Sequence, residues 1–362
     1  MSKTFLILTF TIWLLSSTSA AKNKSNGLLD ELLDLELAKK LVKEINVKAA
    51  GIWTASVNEL SRLPLAKQKI LCGAKLSFEL KLNKTEAEPP EFNTKAGAQC
   101  TTKIDFDART KWSGCSSIIG RIQNQGQCGS CWAVSTASAY TDRYCIARAK
   151  KGQNSAGNDA SLQFSALDVL TCSMQGDGCW GGSPSQAWRW IQTKGICTGT
   201  DYNWKSGCKP YPFSQNQAGP APPCKSSCTA SWKTAYPQDK HMGTSSGQLY
   251  GNQATVAAIQ REIQTNGPVI AVFLAYQDFM SYRSGVYFRT TNQRVGYHAV
   301  RVLGWGTQTC GSQKIDFWIA ANSWGTGWGE AGFFKIRRGV NEVGFEQSEI
   351  SFGLPKCVVF VC

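Results

Sequence analysis

The stretch Gln125-Gly126-Gln127-Cys128-Gly129-Ser130-Cys131-Trp132-Ala133 places a thiol at the head of an apolar run and a side-chain amide six residues before it. The residues that follow, Trp132, Ala133, Val134, Ala137, Ala139 and Tyr140, are dense in helix formers and small side chains. They predict a buried helix with Cys131 at its N-terminus. A helix N-terminus favours negative charge, so a thiol held there is expected to ionise more readily than usual. The thiolate is the form that attacks carbonyl carbon, and a nearby imidazolium would favour it further. Cys131 is therefore the candidate nucleophile.

The run Cys128-Gly129-Ser130-Cys131-Trp132 resembles the local signature of papain-family cysteine proteases, which also calls for a distant His and Asn. The chain has two histidines, and His298 lies in Gly296-Tyr297-His298-Ala299-Val300, ahead of a strand-like Arg301-Val302-Leu303-Gly304-Trp305-Gly306. Asn322 follows in Asn322-Ser323-Trp324-Gly325. Cys131, His298 and Asn322 stand in the chain order of papain-like enzymes. From about Leu28 to Pro355 the sequence is similar to the cathepsin B-like peptidases of that family. The ordered matches include Asp105-Phe106-Asp107-Ala108-Arg109, Gly176-Asp177-Gly178-Cys179-Trp180-Gly181-Gly182, Gln238-Asp239-Lys240-His241 and Gly332-Phe333-Phe334-Lys335-Ile336.

The resemblance implies roles. His298 takes the Cys131 proton to give a thiolate–imidazolium pair, and Asn322 orients the ring by accepting from its other nitrogen. Gln125 and the Cys131 backbone N–H donate to the oxyanion of the tetrahedral intermediate, and Trp324 shields the His–Asn hydrogen bond. Gly181 and Gly182 line the cleft, where missing side chains let substrate backbone approach. Pro184, Ala299 and an acidic residue shape the pocket for the side chain two before the scissile bond. Counting back from Gly353 selects Glu349 for that acid, while counting forward selects Gln347 or Ser348. Taken singly, each residue has a plainer reading: a loop Asn or Gln as a turn residue, a lone His as structural, a Cys as half of a disulfide. Order and flanking motifs together outweigh it.

Cys128-x-x-Cys131 also has the spacing of a redox pair or half of a zinc site. Zinc fits poorly, because there are two histidines and no second C-x-x-C, the nearest approach being Cys224-x-x-x-Cys228. The resemblance pairs Cys128 elsewhere and implies disulfides Cys115–Cys145, Cys128–Cys179, Cys172–Cys224 and Cys208–Cys228. Cys72 and Cys100 are expected to leave with a propeptide; the resemblance assigns no partner to Cys197, Cys310, Cys357 and Cys362, and the last two are spaced either to close a small loop or to tether another chain. A further local family pair beside Cys172 is missing altogether. No cofactor is called for.

The elements that must position these groups can be read along the chain. Lys3, the apolar run Phe5 to Leu15 and Ser16-Ser17-Thr18-Ser19-Ala20 make a signal-peptide pattern over residues 1–20, too short to span a bilayer. Export suits 15 cysteines. Residues 21–101 are read as an inhibitory propeptide. Leucines at three- and four-residue spacing from Leu28 to Ile45 make one wide apolar helix face, with Asp30, Glu31 and Asp34 near its start and Lys39, Lys40 and Lys43 near its end. Trp53 and Leu71-Cys72-Gly73 follow, resembling the short cathepsin B propeptide that lies along the cleft. Glu86 to Gly97 has the composition of an exposed, cleavable linker, and Asn23 and Asn83 head glycosylation sequons. Maturation is expected between that linker and Lys103.

Helical patterns at Ser165–Leu170 and Pro184–Thr193 precede alternating segments at 269–273, 285–288, 299–303, 317–321 and 332–336. Helices first and strands later suit an α+β chain. The resemblance supplies a papain-like two-domain fold, with a mainly helical domain over 102–247, a barrel-like sheet domain over 248–355, a tail over 356–362, and the cleft between the domains.

A net charge of +14 raises the question of nucleic acid, but the basic residues are scattered, with Lys150-Lys151 and Arg337-Arg338 the longest clusters. A solvated basic surface is the simpler reading, and no later segment is apolar for long enough to span a membrane. Protein or peptide substrates, the chain's own propeptide and cystatin-like inhibitors are the partners implied. The compartment is the secretory pathway, ending in an acidic vesicle or lysosome or outside the cell.

The chain departs from its relatives at the occluding loop, which in cathepsin B carries a His pair that binds a substrate's C-terminal carboxylate. Here Cys208 to Cys224 encloses KPYPFSQNQAGPAPP, a shorter segment without histidine or an internal Cys pair. His241 falls outside it and is read as structural. The expectation is endopeptidase activity with an open primed side, against the dipeptidyl-carboxypeptidase action typical of the relatives. Tyr297 stands where a small or polar residue is usual, either narrowing the site or packing against the loop.

Overall fold

The computed structural model describes residues 32–77, 100–153, 159–173, 178–214, 217 and 219–356. The signal-peptide pattern, both sequons and the cysteines at 357 and 362 lie outside the described residues. The leucine-rich segment forms helix α1 over residues 32–48. Its N-terminal leucines, Leu32, Leu33 and Leu37, remain exposed, whereas Ile45, Ala49 and Ile52 are buried. Among the described residues, the second half of the expected apolar face is the part that meets the protein body.

Strand β1 (Trp53–Ala55) then pairs antiparallel with β5 (Tyr282–Tyr287). Trp53 enters an aromatic cluster with Tyr287 at 5.2 Å and Tyr282 at 6.0 Å between ring centroids. Such contacts add to simple area burial. Helix α2 (Leu65–Ile70) follows, fixed by buried Gln68, whose amide donates to the Leu60 and Leu63 carbonyls.

The helical body comprises the short α3 (Ala108–Lys111) and α4 (Ser116–Ile119) with α5 (Cys131–Ala149), α6 (Ala166–Cys172) and α7 (Pro184–Lys194). Helix α5 is buried on nearly every side from Cys131 to Ile146. A helix so enclosed must satisfy its polar groups internally. Thr136 and Thr141 donate back to the Trp132 and Ala137 carbonyls, and Arg143 donates to the Pro268, Gly267 and Gly353 carbonyls and to Glu262. Ser165 caps α6, and Ser183 caps α7 ahead of Pro184 in its first turn.

The strands β3 (Gly243–Leu249), β4 (Val269–Tyr276), β5, β6 (Arg294–Cys310), β7 (Gln313–Ala321), β8 (Phe333–Arg337) and β9 (Glu349–Pro355) join β1 in the order β1-β5-β8-β7-β6-β4-β9-β3. Strand β6 is long enough to serve two neighbourhoods. Arg294–Val302 pairs with β4, and its later half pairs with β7 on one side and with β2 (Cys100–Asp107) on the other. Helix α8 (Val256–Asn266), capped by Thr255, packs among the strands. One apolar core fills the sheet side together with α1, and a second surrounds α5, α6 and α7. The chain thus has an α+β fold, but strands also come before the helices, at β1 and β2, and β3 begins at Gly243, inside the span expected to be helical.

Cys310, expected to find no partner, has one, and Cys100, expected to leave with a propeptide, is tied to the body: β2 sets Cys100 opposite Cys310 in register, and the two are joined by a disulfide. The boundary drawn at 101/102 falls inside this strand, which belongs to the sheet side rather than to the start of the helical domain. The remaining disulfides, Cys115–Cys145, Cys128–Cys179, Cys172–Cys224 and Cys208–Cys228, are the pairs the resemblance implied. Among the described residues Cys72, Cys131 and Cys197 are free thiols. No helix of the described residues is long and apolar enough to cross a membrane.

Candidate active site

Helix α5 begins at Cys131 itself. The loop before it is pinned to the helical body by the Cys128–Cys179 disulfide and by Gly129 N–H donating to the Cys179 carbonyl. That disulfide removes Cys128 as a redox partner and leaves Cys131 free. Burial pushes the Cys131 thiol up to about 11, outweighing backbone hydrogen bonds from Ala299, Gly73, Trp132 and Ala74 that favour the thiolate. This departs from the readily ionised thiol expected of a helix N-terminus. The reason is burial: Cys131 is fully enclosed, and the N-terminal segment comes to it at Gly73 and Ala74.

His298 stands on β6, and its Nε2 lies 2.8 Å from Asn322 Oδ1. Because Oδ1 only accepts, Nε2 carries the proton and Nδ1 is left as the proton acceptor. The imidazole is stacked on the Trp324 ring at 4.5 Å between centroids. Burial lowers the His298 pKa to about 4, against the Asn322 hydrogen bond and the Leu71 carbonyl. Trp324 itself is wedged against Phe279 and Trp328, so the Asn322 contact sits behind an aromatic wall. In this covered state burial favours the uncharged forms of both the thiol and the imidazole.

The Gln125 amide is held from both ends. Ser323 Oγ donates to its Oε1 at 2.6 Å, while its Nε2 donates to the carbonyls of Cys128 at 2.7 Å and Leu71 at 3.0 Å. The Leu71 carbonyl of the N-terminal segment is thus one of the two acceptors of this amide. Tyr211, in the segment between Cys208 and Cys224, donates to the Gln125 carbonyl and bonds the Ser130 hydroxyl. Neither Ser323 nor Tyr211 is singled out by the sequence. Ser323 differs from any other serine only by lying between Asn322 and Trp324.

Gly182 N–H donates to the Gly73 carbonyl, its carbonyl accepts from Lys75 N–H, and the pairing at Ala74 is parallel. A side chain at Gly182 would strike the Trp132 ring at 2.6 Å, and one at Gly181, where φ is +117°, would meet the Gly73 carbonyl at 2.5 Å. Gly181 leaves room for the backbone of the segment lying against it, and Gly182 leaves room for the Trp132 ring. Across it, Ala74 N–H donates to the Tyr297 carbonyl, while the Tyr297 side chain packs beside the helical core.

Glu349 is fully buried at the start of β9. Its Oε1 accepts from Ser185 N–H, next to Pro184, and its Oε2 accepts from Ser77 N–H at 3.1 Å and Ser77 Oγ at 2.9 Å. Gln347 instead bonds Asn341 and Gly251, and the Ser348 backbone bonds Gly344. Of the three residues offered by the two countings, Glu349 is the one that meets the Pro184 region. The role of Ser77 as its partner could not be read from the sequence.

His241 packs edge-on against Tyr144 and Phe164, with its backbone paired to Ile196. Burial lowers its pKa, and it takes no part in the cleft. Cys197, Cys208 and Asp239 lie close enough together to suggest a metal site, but the Cys208 sulfur is bonded to Cys228. Two ligands remain, too few to hold zinc.

The sequence model described as "Papain family cysteine protease" matches residues 103–352. The chain is 44% identical over 253 residues to the gut-specific cysteine proteinase of Caenorhabditis elegans, covering 68% of this chain and 72% of the relative. It is 36% identical over 359 residues to cathepsin B-like cysteine proteinase 1 of Haemonchus contortus, covering 94% and 96%. Among solved structures, procathepsin B S9 from Trypanosoma congolense is similar with a TM-score of 0.69 and 32% identity, over 88% of this chain and 98% of that one.

Proposed function

The chain belongs to the papain family of cysteine peptidases and is cathepsin B-like, and from that premise we propose that it is made as an exported zymogen whose mature form acts mainly as an endopeptidase. Cys131, His298, Asn322 and Gln125 carry the reaction. The observation that supports this assignment is the meeting, beneath one covering segment, of a free thiol, a His298–Asn322 pair and an amide already donating to a backbone carbonyl.

Once residues 71–77 leave, water and substrate reach Cys131. Its proton passes to His298 Nδ1, and the thiolate attacks the scissile carbonyl carbon. Negative charge then builds on the carbonyl oxygen, where Gln125 Nε2 and the Cys131 backbone N–H donate to it. His298 returns the proton to the leaving amine, giving an acyl-enzyme. Water, deprotonated by the same imidazole, hydrolyses the thioester and restores Cys131. Asn322 keeps the ring turned so that Nδ1 faces the sulfur throughout.

Gly181 and Gly182 receive substrate backbone. Pro184, Ala299 and Glu349 shape the pocket for the residue two before the scissile bond, which would then accept Arg as well as apolar side chains. Endopeptidase action follows from the segment between Cys208 and Cys224, which offers no histidine to hold a terminal carboxylate.

Acid-matured protein should cut one peptide internally at the same rate whether its C-terminus is free or amidated, with Cys131→Ala inert. Stepwise dipeptide release that requires the free carboxylate would overturn the endopeptidase reading.

A further inference from the structure

Cys72 is a thiol that the peptidase mechanism does not use, and the fold delivers it to the nucleophile. The covering segment threads here between two glycines. A side chain on Gly296, two residues before His298, would meet Cys72 Cβ at 3.0 Å, and one on Gly73 would strike the Gly129 carbonyl, two residues before Cys131, at 1.9 Å. The backbone on either side of Cys72 is engaged at the reaction centre. Leu71 offers its carbonyl to Gln125 Nε2, and the Gly73 N–H hydrogen-bonds the Cys131 sulfur. The Cys72 Cα is therefore one peptide bond from a nitrogen that donates to that sulfur. Both thiols are free, and Cys72 is part-exposed where Cys131 is buried.

We propose that Cys72 is a resolving cysteine, which captures oxidised Cys131 in the uncleaved chain as a reversible Cys72–Cys131 disulfide and so protects the nucleophile from irreversible oxidation. The inference rests on reading Cys131 as the nucleophile and residues 71–77 as part of the propeptide. The oxidant is a hydroperoxide. The Cys131 sulfur attacks one peroxide oxygen, the O–O bond breaks, and water or an alcohol leaves; sulfur loses two electrons and becomes a sulfenic acid. The Cys72 sulfur then attacks the sulfenic sulfur. An S–S bond forms, the S–O bond breaks, and the hydroxyl departs with the Cys72 proton as water. Two equivalents of a small thiol restore both cysteines.

Burial, and then the nearness of Cys131, raise the Cys72 pKa well above that of an ordinary thiol, and burial raises Cys131 as well. Neither sulfur is rich in thiolate, so the first oxidation is slow. What the fold supplies is the second step, by keeping Cys72 near enough to Cys131 for the two thiols to act on one another. Without it, the sulfenic acid goes on to sulfinic and sulfonic acids, which thiols do not reverse. Cys197, buried on the helical side beside Asp168, serves as an internal control because, among the described residues, the groups acting on it are Asp168, Lys209, Lys240 and Asp239 and no free thiol.

The test treats the full-length chain with hydrogen peroxide and maps its cysteines by mass spectrometry without reduction. The expected result is a cross-linked pair of peptides containing Cys72 and Cys131. Dithiothreitol followed by acid maturation should then return nearly all the activity of untreated protein. In Cys72→Ser, the same peroxide dose should convert Cys131 to sulfinic and sulfonic forms, with about ten-fold less activity recovered. Cys72 leaves with the propeptide, so untreated wild type and Cys72→Ser should mature to equally active enzymes.

Absence of the cross-link in wild-type protein whose Cys131 has been oxidised would overturn the proposal, whatever the variant does. Equal recovery in wild type and Cys72→Ser would overturn it too. Failure of untreated, fully reduced protein to yield peptidase activity would instead count against the catalytic reading, a result the cross-link map does not share.

Discussion

The Ser323 hydroxyl donates to Gln125 Oε1 at 2.6 Å, so the residue that follows Asn322 fixes the amide across the cleft from it. Gln125 Nε2 has to point at a developing oxyanion, and an amide free to rotate would present oxygen and nitrogen alike. Gln125→Ala should lower kcat by roughly a hundred- to a thousand-fold, the usual cost of one oxyanion donor. Ser323→Ala leaves a buried acceptor unpaired and should cost about 1–3 kcal/mol, again in kcat more than KM. Because the two act as one unit, the double variant should be no slower than Gln125→Ala alone. Steady-state kinetics on the acid-matured enzymes decide this, and additive losses would refute it.

Covering the cleft sets a pH dependence whose sign follows from His298. Its pKa in the covered state is about 4, against an ordinary value of 6.5. Between those values an uncovered, solvated imidazole binds more protons than the covered one. The covered state is therefore at full stability above about pH 6.5 and loses stability as pH falls toward 4, by up to about 3 kcal/mol. Cys131, raised to about 11, contributes only at alkaline pH, where stability is lost as pH rises from 9 through 11. Release of the N-terminal segment, followed by tryptophan fluorescence in Cys131→Ala after a pH jump, should become up to about a hundred-fold easier between pH 6.5 and 4. The added variant His298→Ala should flatten that response.

Glu349 bonds Ser77 through both the backbone N–H and the hydroxyl. A cation placed there by a substrate would gain a charge-assisted contact worth about 1.5–3 kcal/mol. Glu349→Gln keeps the shape and removes the charge. It should cut kcat/KM for substrates with Arg two before the scissile bond by about ten- to a hundred-fold, while substrates with Phe there change little. Paired Arg-Arg and Phe-Arg reporter peptides read the ratio directly, and an unchanged ratio would reject this pocket.

Local chemistry and long-range placement were not equally legible in the sequence. The start of α5 at Cys131 and the helical stretches of α6 and α7 follow from propensity near each residue, while the glycines at 181 and 182 were placed by the family resemblance. The alternating segments mark strand cores, but β6 extends well beyond the expected 299–303. A strand that pairs with β4, β7 and β2 owes its length to partners that no local pattern reveals. The identity of the Glu349 pocket was ambiguous by one residue, because an insertion near Gly344 shifts the count while the strand pairing of Val272 with Glu349 does not. The readily ionised thiol was expected from the helix terminus alone. Burial reverses that sign, and burial is a tertiary property.

The same limitation explains Cys100. Its position after a cleavable linker suggested removal, yet its register opposite Cys310 ties it to the sheet. Any cut on the C-terminal side of Cys100 would leave the departing segment attached through that disulfide. The mature chain is therefore expected to begin at or before Cys100, and N-terminal sequencing of acid-matured protein checks this. Non-reducing electrophoresis gives an independent reading, since a propeptide still bound to the enzyme until reductant is added would mean cleavage beyond the disulfide. Cys310→Ser should lower stability by about 2–4 kcal/mol, as expected for losing a bond that closes a long loop. Denaturant midpoints of the zymogen, measured without reductant, would register that loss.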